Sequence, residues 1–273
     1  MQSSTYIYYG THVSCKHDFT FSPSCDISSV HTHNLFEIIY IVSGDATHVI
    51  EDKKYKLKPG DLVLVRPKRY HFIKIDSPAD YERYDFTFDE ERVGINTSEI
   101  LGEDVDVINL AESRVTTRIL KNMDYYRQHL SDKEFEDVTI SLIKELLYTA
   151  AVEKRGVNIN ESVILNPLLT KAISYINQNL AKIKSISEIA DALFVTESYL
   201  FRMFKRELRQ TPKKYITDKR LLNAETMLNQ GKRPTEVATA CGFGDYATFF
   251  RCYKKFFGAP PSAKPTQANS NAF

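Results

Sequence analysis

The chain has 273 residues, 42% of them hydrophobic and 26% charged, which is ordinary globular composition and length enough for about two domains. No basic start leads into an apolar core and a small-residue cleavage site, and the longest apolar run, 38–42, is far too short to cross a bilayer. These features argue against secretion and a membrane partner and predict a cytoplasmic protein. Cys15, Cys25, Cys241 and Cys252 show no CxxC spacing, so reduced thiols are expected rather than a disulfide or zinc framework. The net charge of +1 conceals an uneven split: residues 166–273 carry 17 basic and 8 acidic groups, and residues 1–165 carry 19 and 27. A basic second half on an acidic first half points to a polyanionic partner for the second half alone.

From residue 5 to 88, short alternating runs such as 36–42, 62–65 and 84–88 are separated by turn segments at 42–45, 51–53, 58–61 and 76–78. That rhythm predicts an all-β barrel or sandwich over 1–110. Beyond 109 the apolar period becomes helical. Val115, Ile119, Leu120, Met123 and Tyr126 share one face, as do Val138, Leu142, Ile143, Leu146 and Leu147. Two amphipathic helices, 114–130 and 136–152, are therefore expected in a segment spanning 111–155, packed on the barrel or forming the seam of a homodimer. A polar stretch predicts a linker over 156–165. Residues 166–262 read as wholly helical, and the Pro/Ser/Asn-rich tail, 263–273, is expected to be disordered. The fold class is α+β multidomain: an N-terminal β-barrel with two helices, then an all-α domain.

The helical domain contains an internal repeat. Residues 188–212 read EIADALFVTESYLFRMFKRELRQTP, and residues 236–261 read EVATACGFGDYATFFRCYKKFFGAPP. With one insertion in the second turn, Ala190 aligns with Ala238, Arg202 with Arg251, Lys205-Arg206 with Lys254-Lys255, and Pro212 with Pro261. Each copy predicts a short helix, a tight turn and a second helix, capped by Thr196 in one copy and Asp245 in the other. Leu200, Phe204 and Leu208 face inward in the first, and Phe249, Tyr253 and Phe256 in the second. Residues 212–230 predict a helix between the copies, begun by Pro212 and ended by Gly231. Its length, roughly 28 Å, is comparable with one turn of DNA, so both second helices could enter successive major grooves.

Val237-Ala238, Gly242-Phe243, Asp245, Phe249, Arg251, Tyr253-Lys254-Lys255, Gly258 and Pro261 together resemble the closing signature of the AraC/XylS-type transcriptional regulators, and the likeness covers about 166–262. It implies two helix-turn-helix units on promoter DNA, with RNA polymerase as a further partner. By motif position the base readers fall on Ser198, Phe201 and Arg202, and on Tyr246, Ala247, Phe250 and Arg251. The arginines suit guanine, and Lys205, Arg206, Lys254 and Lys255 suit phosphates. Two departures concern the first unit. Arg209 replaces the glycine usual after the reader helix, and Val195-Thr196 replaces the usual turn.

In the N-terminal half, His31, His33, Glu37 and Gly44 resemble the first cupin motif, and Lys58-Pro59-Gly60-Asp61 through Pro67 to His71 resemble the second, with Arg69 in place of glycine. On one strand, His31, His33 and Glu37 would share a face. With His71 they offer a three-histidine, one-carboxylate set for a single divalent transition metal. The same residues also read as an effector pocket without metal, joined by Tyr40, Tyr81 and Arg83, or as hydrogen-bonded scaffold. The resemblance suggests a sugar or related small metabolite as effector.

The run GFGDYA at 242–247 mimics a dinucleotide fingerprint, but it follows a helix rather than a strand. Two function classes stand. One is an effector-controlled DNA-binding regulator, which is not an enzyme. The other is a cupin metalloenzyme, an isomerase or dioxygenase, with an accessory basic domain. The duplicated unit favours the first.

Overall fold

The computed structural model describes residues 2–25, 28–155 and 162–261; the expected tail, 263–273, lies outside them, as does most of the expected linker. The N-terminal half consists of two antiparallel sheets. Strands β1 (Gln2–Tyr9), β2 (Val13–Thr20), β3 (Phe36–Ser43), β6 (Asp61–Val65), β8 (Tyr81–Phe88) and β9 (Val107–Asn109) form one sheet in the order β1-β2-β8-β3-β6-β9. Strands β4 (Ala46–Ile50), β5 (Lys53–Leu57), β7 (His71–Ile75) and β10 (Val163–Ile164) form the other, ordered β10-β5-β4-β7. The connection expected to be free linker thus ends as an edge strand, Val163 and Ile164 pairing with Lys54 and Lys53.

Strand alternation divides the larger sheet into two faces. Ile39, Ile41, Val63, Val65 and Tyr81 meet Ile50, Tyr55, Leu57 and Ile73 of the smaller sheet in the core between the layers. Ile38, Tyr40, Leu62, Leu64, Tyr84 and Phe86 point the other way, into a core roofed by helices. That roof comprises α1 (Glu90–Val93), α2 (Thr97–Leu101), α3 (Arg114–His129) and α4 (Asp132–Lys154). Ile119, Leu120 and Met123 of α3, and Phe135, Leu142, Ile143, Leu146 and Leu147 of α4, bury the predicted stripes against the chain's own sheet. Val115, assigned to that stripe from the sequence, is exposed at the first turn of α3.

The second half contains α5 (Pro167–Asn179), α6 (Ile186–Ala192), α7 (Glu197–Leu208), α8 (Pro212–Asn229), α9 (Pro234–Ala240) and α10 (Tyr246–Phe257). Thr196 caps α7 by accepting from Tyr199 N, and Asp245 caps α10 by accepting from Thr248 N. Helix α8 serves two cores. Tyr215 and Ile216 join Leu200, Phe204 and Leu208 of the first unit, while Leu221 and Ala224 join Val237, Phe249 and Tyr253 of the second. The turns of the units share a backbone design, with Phe194 at φ 56° where Gly242 stands at φ 82°. Gly242 has no substitute in the second unit, since a Cβ there would lie 2.3 Å from the Ala181 carbonyl oxygen. Both reader helices end in a left-handed residue, Gly258 at φ 74° and Arg209 at φ 58°. Arg209 therefore preserves the helix end that its loss of glycine put in question.

Candidate nucleic-acid interface and ligand site

Helices α7 and α10 are strongly two-sided. Their inner faces are buried, while Ser198, Phe201, Arg202, Lys205 and Arg206 on α7 and Tyr246, Ala247, Arg251, Lys254 and Lys255 on α10 are exposed. Phe250 is half-buried and Tyr246 leans towards its ring at 6.2 Å. Ser198, Phe201 and Arg202 line an open groove with Ile186 and with Thr211, Pro212 and Lys213 at the start of α8. These two basic, solvent-facing helices are bridged by an 18-residue helix of about 27 Å, a length comparable with one turn of DNA.

The N-terminal candidates divide by face. His31, His33, Glu37 and His71 converge, with one ligand atom from each lying within 4.8 Å of the others. Strand parity is not what gathers them. Strand β3 starts only at Phe36, and His31 sits on an isolated bridge to His71. The chain bends at 34–35, bringing both histidines back over Glu37. Glu37 Oε2 lies 3.2 Å from His33 Nε2 and 2.7 Å from His71 Nε2. Burial opposes charge on Glu37, yet the His71 and His33 imidazoles hold its carboxyl well below the usual range. Burial also lowers His31 to about 4, reinforced by His71, so this ring is neutral. For His71 burial is outweighed by Glu37, and the pKa rises.

Further along the same interior, Arg83 Nε lies 2.9 Å from Asp85 Oδ2, and Lys16 Nζ lies 2.9 Å from Asp18 Oδ2. Lys16 and Asp18 pair directly across the sheet with Asp85 and Arg83, so all four share a face. His48 adjoins them, its ring 5.8 Å from that of His71. Burial raises Asp85 to about 6 despite Arg83 beside it. Tyr81 lies on this face, as expected, but Tyr40 does not. It packs under the helical roof because it stands three residues from Glu37, and a strand reverses face at odd spacing. Lys16, Asp18, His48 and Asp85 were missed in the sequence; the alternation of 16/18 and 83/85 is the signal for all but His48, and it becomes readable once β2 and β8 are paired.

The segments next to the histidine cluster also touch the helical domain. Asn34 Nδ2 donates to Leu222 O at 3.0 Å and to Glu225 Oε2 at 2.6 Å, and Lys68 Nζ donates to Asn223 Oδ1 at 2.9 Å. Tyr70 is buried in the core of the first unit, stacked on Tyr215 at 4.8 Å, with its hydroxyl donating to Asp218 at 2.5 Å. Glu51 accepts from Tyr70 N at 2.9 Å, from Lys219 Nζ at 2.7 Å and from the Tyr215 hydroxyl. Every one of these α-helical partners belongs to α8.

A paired-sheet domain with a polar interior, docked on a duplicated helix-turn-helix, defines a DNA-binding protein with its own sensing half. A model of the AraC-like ligand binding domain matches residues 26–132, and one described as a helix-turn-helix domain matches residues 189–264. The chain thus joins an AraC-like ligand-binding domain to a helix-turn-helix domain, the two parts of an AraC-type DNA-binding transcriptional regulator. The transcriptional activator RhaS of Yersinia pestis (strain Pestoides F) is 24% identical over 241 residues, 85% of this chain and 86% of that one. The probable transcriptional regulator LumQ of Photobacterium leiognathi is 30% identical over 90 residues, which span 36% of its length. The GbdR regulator of Pseudomonas aeruginosa (strain UCBPP-PA14) matches over 26% of its length at 32% identity. An apo variant of ToxT from Vibrio cholerae strain SCE256 aligns over 93% of this chain and 97% of its own, with 12% identity and a TM-score of 0.43. RhaS, LumQ and GbdR are transcriptional regulators, and the metalloenzyme alternative finds no support among them. No helix among the described residues is long and apolar enough to cross a membrane.

Proposed function

We propose that this regulator acts in the cytoplasm as a homodimer without catalytic activity. In this reading it binds promoter DNA and engages RNA polymerase in response to a polar metabolite, a sugar or related polyol, held between the two sheets. Ser198, Phe201, Arg202, Tyr246, Ala247, Phe250 and Arg251 read base edges, while Lys205, Arg206, Lys254 and Lys255 hold phosphates. Exposed Tyr125, Tyr148 and Val152 on the outer side of α3 and α4 suit the dimer seam.

The observation that carries the effector reading is the unmet polarity of the interior. Asp85 Oδ1 and both ring nitrogens of His48 are buried without a hydrogen-bond partner among the described residues, and Asp85 Oδ2 has only its ion pair with Arg83. Each such group costs about 1–3 kcal/mol. Hydroxyls both donate and accept, so a polyol can satisfy carboxylate, imidazole and guanidinium together. A thermal-shift panel of monosaccharides and polyols on the full chain tests this. A binding sugar should raise the melting temperature of the wild type and not of Asp85→Asn. If no member stabilises the wild type, or if it stabilises the variant equally, the effector is not held by this interior.

A further inference from the structure

The His31, His33, Glu37 and His71 cluster has a feature that a polyol site does not require. Each of the three histidines spends its Nδ1 on a main-chain carbonyl two residues away. His31 donates to Ser29 O at 2.7 Å, His33 to Leu35 O at 2.9 Å and His71 to Arg69 O at 3.0 Å. A carbonyl can only accept, so all three protons are placed on Nδ1, and a neutral ring then presents the lone pair of Nε2. The three rings crowd one point, with centroids 4.1 Å apart for His31 and His71, 5.1 Å for His33 and His71, and 5.8 Å for His31 and His33. His31 Nε2 is buried with no hydrogen-bond partner among the described residues, and His71 Nε2, though 2.7 Å from Glu37 Oε2, lies off the line of a directed hydrogen bond.

Tautomers locked by outer hydrogen bonds, with three Nε2 atoms converging on a buried carboxylate that contacts two of them, are the outer-shell arrangement of metal-bound imidazole. Ligand bonds of about 2.0–2.2 Å set ligand atoms roughly 3.4 Å apart around a tetrahedral ion, so the Glu37 contacts at 2.7 and 3.2 Å would open slightly and the wider pairs, none beyond 4.8 Å, would close by roughly 1 Å or a little more, within side-chain movement. Three nitrogens and one carboxylate oxygen, with no thiolate, suit a divalent first-row transition ion.

We propose that this cluster binds one divalent transition-metal ion and that helix α8 registers its occupancy. The coupling follows from chain connectivity. The ion would tie segment 31–37 to the segment ending at His71, and these two carry Asn34, Lys68 and Tyr70, the side chains that hold Leu222, Asn223, Asp218 and Glu225 of α8. Because α8 belongs to the cores of both helix-turn-helix units, any shift at its docking face changes how the two reader helices are set relative to each other. Metal binding itself does not depend on the polyol reading; its consequence for DNA affinity depends only on the chain being a DNA-binding regulator.

The full chain, stripped with chelator, is titrated calorimetrically with Zn²⁺, Ni²⁺ and Mn²⁺, and bound metal is measured after gel filtration. One ion per chain is expected, with affinity falling roughly 10- to 100-fold in His31→Ala/His33→Ala and in Glu37→Gln. Circular dichroism confirms that each variant is folded, and Glu37→Gln preserves shape if the double variant does not fold. No binding by any of the three ions, or undiminished binding in the folded variants, overturns the site. For the coupling, affinity is measured on an operator selected from random DNA, with and without the ion. A change of about 5- to 150-fold is expected in the wild type. Asn34→Ala/Lys68→Ala should bind the ion normally and lose most of that change. Equal DNA affinity with and without bound ion, or an undiminished response in the double variant, overturns the coupling and leaves the polyol reading untouched.

Discussion

Arg251 and Lys254 lie almost one helical turn apart on α10, both exposed, yet chemistry separates their roles. A planar guanidinium can grip a guanine edge with two hydrogen bonds, whereas an ammonium acts as a point charge. Arg251→Ala should therefore lose about 1–3 kcal/mol on the selected operator and relax preference at one base position. Lys254→Ala should weaken every sequence alike and flatten the salt dependence by about one unit of slope. Quantitative gel shifts on single-base operator variants decide, and a uniform loss from Arg251→Ala would reassign it to the backbone. His17 offers a second test, of stability. Its Nε2 lies 2.8 Å from Glu82 and its Nδ1 3.1 Å from Asp124, with the ring stacked on Tyr84. Burial lowers its pKa, but Asp124 and Glu82 outweigh it and the net direction is up. A raised folded value means the stabilisation is complete below the ordinary imidazole value near 6.5 and is lost as pH rises through the folded value. His17→Gln should melt about 2–4 °C below the wild type at pH 6 for each ~1 kcal/mol lost, the gap narrowing at pH 9. A gap that is constant with pH would mean that His17 acts by packing alone.

Among the elements, the paired turns of the two units form a natural experiment. Gly242 and Gly258 both sit in left-handed backbone, but an added Cβ meets Ala181 at the first and nothing within 4 Å at the second. Gly258→Ala should cost about 1 kcal/mol, the conformational penalty alone. Gly242→Ala adds overpacking against the backbone beyond α5 and should cost about 2–4 kcal/mol. Denaturant midpoints compare them, and equal costs would show that the Ala181 contact yields freely. The first unit holds the equivalent of Gly242 with Phe194, 96% exposed, which no neighbouring backbone crowds. Reader helices, caps and the α8 boundaries were legible in the sequence because they depend on neighbours within a few residues. The placement of Tyr40 was not, since the face of β3 that meets the smaller sheet is decided by pairing with β6 and β8.

Across the whole molecule the two halves are held by a buried ionic junction. Glu51 and Lys219 are each about nine-tenths buried, and Tyr70, Tyr215 and Asp218 complete the contact. Removing one partner of such a pair leaves the other buried and unpaired, at a cost of about 3–5 kcal/mol. Glu51→Ala should therefore weaken the docking more than either domain's own core, and calorimetry should resolve two transitions where the wild type shows coupled unfolding. A single transition at the wild-type temperature would show that the junction contributes little.

The repeat, the helix caps, the strand rhythm and the basic second half were present in the sequence by itself, because period, capping chemistry and charge are local or additive. That sufficed to place the exposed basic residues of α7 and α10 and to single out His31, His33, Glu37 and His71. Tertiary structure alone decided that these four meet through a bend rather than along a strand, that Lys16, Asp18, His48 and Asp85 share their interior, and that the segments around Asn34 and 68–70 are clamped on α8. Those facts depend on contacts between residues tens to hundreds of positions apart, and a chain's local pattern carries no record of which distant face it will meet.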